Sequence, residues 1–271
     1  MNGILVDQDL CTRCGICSLV CPAGIIDTAE EGALPYVPSA KAQFCLQCGH
    51  CEATCPSGAV VPAYSSAGTP GSPAAADIPS ETLGTYLKSR RSVRHYKGDP
   101  VDRPTLRAIL DIARYAASAG NGQPVEWLVL YKAAEVRRMA ELSMEWLRGL
   151  ADTSHPLAGF APTLVRGWES GQDPICRGAP HLLVPHVPDG NPVTRFDAII
   201  ALTHIDIAAP AFGVGTCWAG FVAMALEAYP PAREALALPE GRVPAYAMML
   251  GYPRYRAHRI PERRPLRVTW R

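Results

Sequence analysis

The sequence predicts an α+β protein in two unequal parts, a small domain of cysteine loops followed by a larger domain of mixed helices and strands. Three observations predict it. Eight of the ten cysteines fall between Cys11 and Cys55, in two copies of one pattern. Residues 63–80 then turn to linker composition, with Ser65-Ser66, Gly68, Pro70-Gly71, Ser72-Pro73, three alanines and Pro79, flexible where Gly and Ser dominate and stiffened by the prolines. From Glu81 onward amphipathic helical periods alternate with short apolar strands, the texture of an α+β or α/β domain.

Taken in order, residues 3–8 read as a short strand, and residues 35–38 as its pairing partner. The cysteine domain ends near Pro62, so the expected boundaries are 1–62, a linker over 63–80, and a second domain over 81–271. Thr82 to Ser89 has a helical period. Asp102 is placed to N-cap a helix running to about Ala117, with Leu106, Ile109, Leu110 and Ala113 on its apolar face. Glu126 to Tyr131 reads as a strand, and Ala134 to Leu150 as a helix through Val136, Met139, Leu142 and Trp146. Residues 152–180 are rich in Pro and Gly, which predicts a long loop with one short helix. His181 to Val187 is a buried strand, Val193 to Phe212 a long apolar helix, and Gly213 to Gly220 a tight turn. A helix over Phe221 to Ala228 and a strand over Ala245 to Gly251 complete the core.

At 271 residues the chain has room for one large domain and one small. Its 48% hydrophobic and 19% charged composition favours a packed core over disorder. A net charge of +1 argues against a general binder of nucleic acid or membrane surfaces. No run reaches the length of an apolar transmembrane span, and Asp7 and Asp9 stand where a signal peptide would be apolar. The expectation is a cytoplasmic protein, in a compartment that keeps thiols reduced.

Each cysteine copy reads C-x2-C-x2-C-x3-C-P, as Cys11, Cys14, Cys17, Cys21-Pro22 and then Cys45, Cys48, Cys51, Cys55-Pro56. A disulfide framework suits a short secreted chain, and zinc takes paired C-x2-C units without a repeated fourth Cys-Pro. The repeat is instead the bacterial two-cluster ferredoxin spacing, in which the fourth cysteine reaches the other cluster. The expected ligand sets are therefore crossed. Cys11, Cys14, Cys17 and Cys55 hold one [4Fe–4S] cluster, and Cys45, Cys48, Cys51 and Cys21 the other.

In the second domain, Arg90-Arg91-Ser92-Val93-Arg94 gathers three guanidinium groups and a hydroxyl, donors suited to a phosphate and to flavin oxygens. Its bland counterpart is a solvated basic patch. Residues 117–124, Ala-Ser-Ala-Gly-Asn-Gly-Gln-Pro, place the amides of Asn121 and Gln123 before a strand, each offering donor and acceptor together. With Gly213-Val214-Gly215-Thr216-Cys217-Trp218-Ala219-Gly220 and Leu250-Gly251-Tyr252-Pro253, these motifs make residues 81–271 resemble the nitroreductase family of FMN-dependent oxidoreductases. The whole chain is similar to ferredoxin–nitroreductase fusions.

That resemblance implies an antiparallel-dominated sheet flanked by helices, and a homodimer with FMN at the interface. It implies that Arg90, Arg91, Ser92 and Arg94 hold the FMN phosphate and ribityl side, that Asn121 and Gln123 bond the flavin, and that the backbone of Trp218, Ala219 and Gly220 passes beside flavin N5. A late arginine completes the phosphate site, Arg264 first and Arg263 second, within a tail of seven arginines from Arg254. Cys176 and Cys217 are read as buried, inert thiols, and His204 as a satisfied core histidine. The expected function is an FMN-dependent oxidoreductase. Its two clusters relay electrons between a donor, ferredoxin or NAD(P)H, and FMN, which acts on a small nitro, quinone or enone compound without a side-chain nucleophile. The alternative is an electron-transfer relay protein with no small substrate of its own.

Overall fold

The structure, a computed structural model, describes residues 3–64 and 77–271, so most of the expected 63–80 linker lies outside the described residues. The chain divides into two compact units, Met1–Asp77 with Gly120–Gly122, and Ile78–Ala119 with Gln123–Arg271.

The N-terminal unit contains β1 (Ile4–Val6), α1 (Ile16–Leu19), β2 (Asp27–Thr28), β3 (Pro35–Tyr36), α2 (His50–Ala53) and β4 (Val60–Pro62). β1 pairs antiparallel with β4, Leu5 opposite Val61, and not with the 35–38 segment as the sequence suggested. The β-branched Val60 and Val61 supply the better partner surface. Residues 35–36 close a local hairpin with β2 instead, folded back by a turn in which the Ala33 N–H donates to the Glu30 carbonyl (3.1 Å). The two cysteine copies share one backbone: Gly15 and Gly49 both have φ +73° at the starts of α1 and α2, and Arg13 and Gln47 have φ +56° and +52°. Cys17, Ile25, Ile26 and Val60 form the small core.

The second unit is built on an antiparallel sheet of order β5 (Glu126–Leu130), β6 (His181–Pro188), β9 (Met248–Gly251) and β7 (Gly215–Trp218), with β8 (Arg242–Pro244) also pairing β6. β6 is buried along its length because alternate residues serve two cores. Leu182 and Val184 face one cluster, formed with α5 (Ala133–Arg148), α6 (Ala161–Glu169), α8 (Gly220–Ala228) and α9 (Pro230–Glu234). Leu183 faces the other, formed with α4 (Arg103–Ala113) and α7 (Val193–Ala208). α3 (Ser80–Ser89) precedes this layer in sequence. The sheet is thus flanked by helices, as expected.

Asp102 caps α4, its carboxylate accepting from the Thr105 N–H (2.9 Å) and hydroxyl (2.8 Å). α4 stops at Ala113 and not near Ala117, since Ala116 and Ala117 offer a further turn little area to bury and Tyr115 is left 73% exposed. The expected 213–220 turn conceals β7, and the long helix ends at Ala208, followed by a 3-10 turn at Ala209–Phe212 around Pro210. His181 is fully buried. Its Nε2 accepts from the Val101 N–H (2.8 Å) and its Nδ1 meets the Tyr131 carbonyl (2.9 Å), so the neutral ring joins the sheet to the loop before α4.

Candidate functional site

In the N-terminal unit the eight repeat cysteines gather around two separate cavities. One is bordered by Cys11, Cys14, Cys17 and Cys55. The other is bordered by Cys21, Cys45, Cys48 and Cys51. The crossed arrangement arises locally: each Cys-Pro ends the short helix carrying the third cysteine, and the chain leaves toward the other copy. Four thiols around a cavity fit a cube of iron and sulfide, each iron taking one thiolate. The donor set is all cysteine, four to each cavity, with the fourth supplied by the other copy, the pattern of a two-cluster ferredoxin.

The thiols differ in environment. Burial pushes the Cys17 and Cys51 thiols up, against backbone N–H groups that favour the thiolate. At Cys55 burial also acts upward, but the Ser57 hydroxyl and the N–H groups of Val60, Ser57 and Ala59 outweigh it, and the net direction is down.

In the second unit the Arg90–Lys97 segment is laid along β7 and the chain after β9. Val93 N–H donates to the Thr216 carbonyl (2.8 Å), Lys97 N–H to Tyr252 (2.8 Å), and Arg254 N–H to His95 (2.9 Å). This approach requires Gly215: a Cβ there would stand 2.4 Å from Val93 Cγ2 and 3.0 Å from the Pro253 ring. The segment borders a cleft of about 1010 Å³, lined by Arg90, Arg91, Ser92, Arg94, Lys97, Gly213–Gly215, Arg254 and Arg256 among others, with no carboxylate in its lining.

The cations of the cleft are not equivalent. Arg90 donates to the buried Asp206 carboxylate (3.2 Å), which also accepts from the Trp218 indole N–H (3.1 Å) and the Thr216 hydroxyl. Arg90 is thereby neutralised and fixed. Among the described residues Arg91 and Arg94 have no ion-pair partner, and they leave uncompensated forked donors in a concave site, the chemistry of an anion receptor.

The other anticipated residues distribute differently. Gln123, at φ +45°, donates its N–H to the Ser118 hydroxyl (3.0 Å). Its side borders a second cavity of about 120 Å³ with Trp127 and Asp197. Asn121, at φ +54°, belongs to the Gly120–Gly122 turn grouped with the N-terminal unit. Ala219 N–H is already donated to the Ala247 carbonyl (2.9 Å), whereas Gly220 opens α8, where the first N–H groups have no intrahelical partner. Gly220 borders a third cavity of about 320 Å³ with Arg195, Glu227 and Tyr246. Arg263 and Arg264 lie in the exposed terminal segment and do not line the arginine cleft; Arg254 and Arg256 do.

Cys176 and Cys217 are buried, and burial pushes both thiols up, which keeps them protonated. His204 is half-buried and bonded to the Ile200 carbonyl of its own helix (2.9 Å). Sequence reasoning missed Asp206 and Thr216. No local signal singles out Asp206, since α7 carries a second buried carboxylate, Asp197.

Residues 87–252 match the Nitroreductase family. The chain belongs to the nitroreductase family. Residues 10–60 of this nitroreductase match the 4Fe-4S dicluster domain, giving the fusion architecture expected from the repeats. Its fold is similar to that of a nitroreductase with bound FMN from Desulfitobacterium hafniense (TM-score 0.57, 22% identity, covering 69% of this chain and 97% of that one). An FMN-dependent nitroreductase from Clostridium difficile is similar as well (TM-score 0.55, 17% identity, 71% and 100% covered). So is a nitroreductase with bound FMN from Bacteroides fragilis (TM-score 0.53, 20% identity, 68% and 94% covered). At these identities the likeness is one of fold. Among the described residues no helix is long and apolar enough to cross a membrane.

Proposed function

We propose that this chain is a cytoplasmic FMN-dependent oxidoreductase whose two [4Fe–4S] clusters relay electrons between a one-electron donor protein such as ferredoxin and FMN, which turns over a small nitro, quinone or enone compound. The observation that carries the reading is the pair of four-thiol cavities in a nitroreductase chain. When bound, the clusters supply one-electron transfer and FMN supplies both one- and two-electron chemistry, so the fusion converts between the two.

The chain's own residues bind and orient. Arg91, Arg94 and the Ser92 hydroxyl offer donors for the FMN phosphate, with Arg254 and Arg256 on the same cleft. Asp206 holds Arg90 and the Trp218 indole in one arrangement, fixing the wall from which the backbone runs to Gly220. The Gly220 N–H, in the first turn of α8, is the main-chain donor of the Trp218–Gly220 segment that we assign to the flavin edge. Asn121, Gln123 and Arg264 are proposed as further cofactor contacts. The proposed domains are 1–62 and 81–271 around a linker.

The assembly is proposed to be a homodimer. On α7, Val193, Phe196, Ile200 and Ile207 form an exposed apolar stripe at helical spacing, and Leu83 and Leu87 of α3 are exposed too. Phe196 is 69% exposed. Phe196→Glu is expected to convert a dimer to a monomer in light scattering at micromolar concentration; a native monomer, or a variant that stays dimeric, contradicts the assignment.

Anaerobic stopped-flow mixing tests the donor. Reduced ferredoxin is expected to bleach the flavin much faster than NADH or NADPH does. Fast reduction by a pyridine nucleotide would count against the cluster-fed route, and failure to turn over any nitroaromatic, quinone or enone would leave a relay protein.

A further inference from the structure

The two copies of the cysteine repeat have the same backbone but different side chains, so each residue beside one cavity has a counterpart beside the other. Gly24 and Gly58 follow the Cys-Pro turns at φ +59° and +67°. Between proline and glycine the first copy has Ala23 and the second has Ser57. Each lines the cavity that its neighbouring cysteine borders. Ser57 Oγ lies 3.7 Å from Cys55 Sγ. A thiolate bound to iron has no proton to give, so in the loaded protein the serine hydroxyl is the donor and the sulfur accepts. Ala23 can offer Cys21 no such bond.

The remaining walls do not differ in one sense: the Cys55 cavity has Ile16 where the other copy has His50, and Val60 borders it as well. Ile4, Ile25, Ile26 and Val37 surround the Cys21 cavity, although Gln47, His50 and Tyr64 also border it. The Cys55 cavity has Thr12 and Arg13 where the other copy has Leu46 and Gln47. Arg13 is exposed, so solvent screens its charge and the hydroxyl contact carries more of the difference.

One-electron reduction adds a negative charge to a group already anionic through its four thiolates. Donors aimed at its sulfurs stabilise the reduced form and raise the potential, while an apolar wall lowers it. Resting on the reading that the N-terminal unit carries both clusters, we propose that Ser57 makes them unequal. The cluster of Cys11, Cys14, Cys17 and Cys55 has the higher reduction potential, and that of Cys21, Cys45, Cys48 and Cys51 the lower. An electron supplied by an external one-electron donor therefore rests on the Cys11 set.

The test is a dithionite redox titration of the full, cluster-loaded chain, followed by electron paramagnetic resonance. The native protein is expected to give two resolved waves. Ser57→Ala lowers the upper wave by a several-fold to about tenfold change in the reduction equilibrium, up to ~59 mV for a one-electron couple, and Ser57→Thr, which keeps the hydroxyl, restores it. Ala23→Ser raises the lower wave, so both single changes narrow the gap. A single native wave, a lower wave that moves in Ser57→Ala, or an alanine variant that moves neither wave overturns the proposal. Iron and sulfide analysis of the same samples separates this from the underlying reading: one cluster or none overturns both, whereas two clusters with the wrong response overturn only the asymmetry.

Discussion

Asp206→Asn perturbs the group that holds the arginine cleft in shape, and its cost can be worked from the contacts. The Asp206 side chain is 8% exposed and its carboxylate receives the Arg90 guanidinium, the Trp218 indole and the Thr216 hydroxyl. Removing one partner of a buried ion pair costs roughly 3–5 kcal/mol. The Arg90 side chain is 29% exposed, so water recovers part of that, and about half is retained. The asparagine oxygen can still accept from Trp218 or Thr216, but without charge assistance, losing about another 1 kcal/mol. The sum is about 3 kcal/mol. For a domain of this size each kcal/mol lowers the melting midpoint by about 2–4 °C, giving a drop of ~6–12 °C. The assay is thermal unfolding of the full chain, monitored by tryptophan fluorescence, together with FMN affinity by fluorescence quenching. A midpoint within about 1 °C of native would refute the reasoning, because it would mean that the three bonds to Asp206 contribute nothing net.

The crossed ligand sets predict that Cys11→Ala/Cys55→Ala loses one cluster, about four of eight irons, while Cys11→Ala/Cys21→Ala loses both; equal iron in the two variants contradicts the crossing. Gly215→Ala forces Val93 away from β7 and is expected to lower bound flavin several-fold after purification, measured by visible absorbance, with a stability cost of roughly 1–3 kcal/mol. Burial lowers the His181 pKa below its ordinary 6.5, so the unfolded chain takes up the proton first. Stability is complete above about pH 6.5 and falls as pH drops through the folded value. Urea midpoints at pH 7.5 and 5.5 should show this loss, with a shallower slope in His181→Gln; His186, lowered by burial and by Arg242, adds to the slope in both proteins. An unchanged slope in the variant excludes His181 as a source.

What could be read from the sequence was what local chemistry dictates. Spacing in the cysteine repeat follows from the reach of a few residues around one cluster, so the grouping of the eight cysteines around two cavities, with Cys21 and Cys55 exchanged, was legible. The Asp102 cap was legible because its partner is three residues away. β7 was not, because Gly213, Gly215 and Gly220 give the signal of a turn while the strand's order comes from pairing with β9. Asp206 escaped notice because Arg90 is 116 residues distant, and nothing local marks a carboxylate as the partner of a particular guanidinium. The partner of β1 was misassigned for the same reason: β4 is remote in sequence, and the nearer candidate was a strand with other business in a hairpin. The terminal arginines show the limit of composition. Among seven of one kind the order of motifs favoured Arg264, while Arg254 and Arg256 border the cleft because the Arg254–His95 bond tethers them beside β9.

Whether the clusters feed the flavin can be read from the rate at which the flavin is reduced. Native protein and a Cys45→Ala variant with equal FMN content are mixed anaerobically with reduced ferredoxin while flavin absorbance is followed. Bleaching that is fast in the native chain and slowed at least tenfold in the variant is the predicted result; equal rates in the two would contradict it.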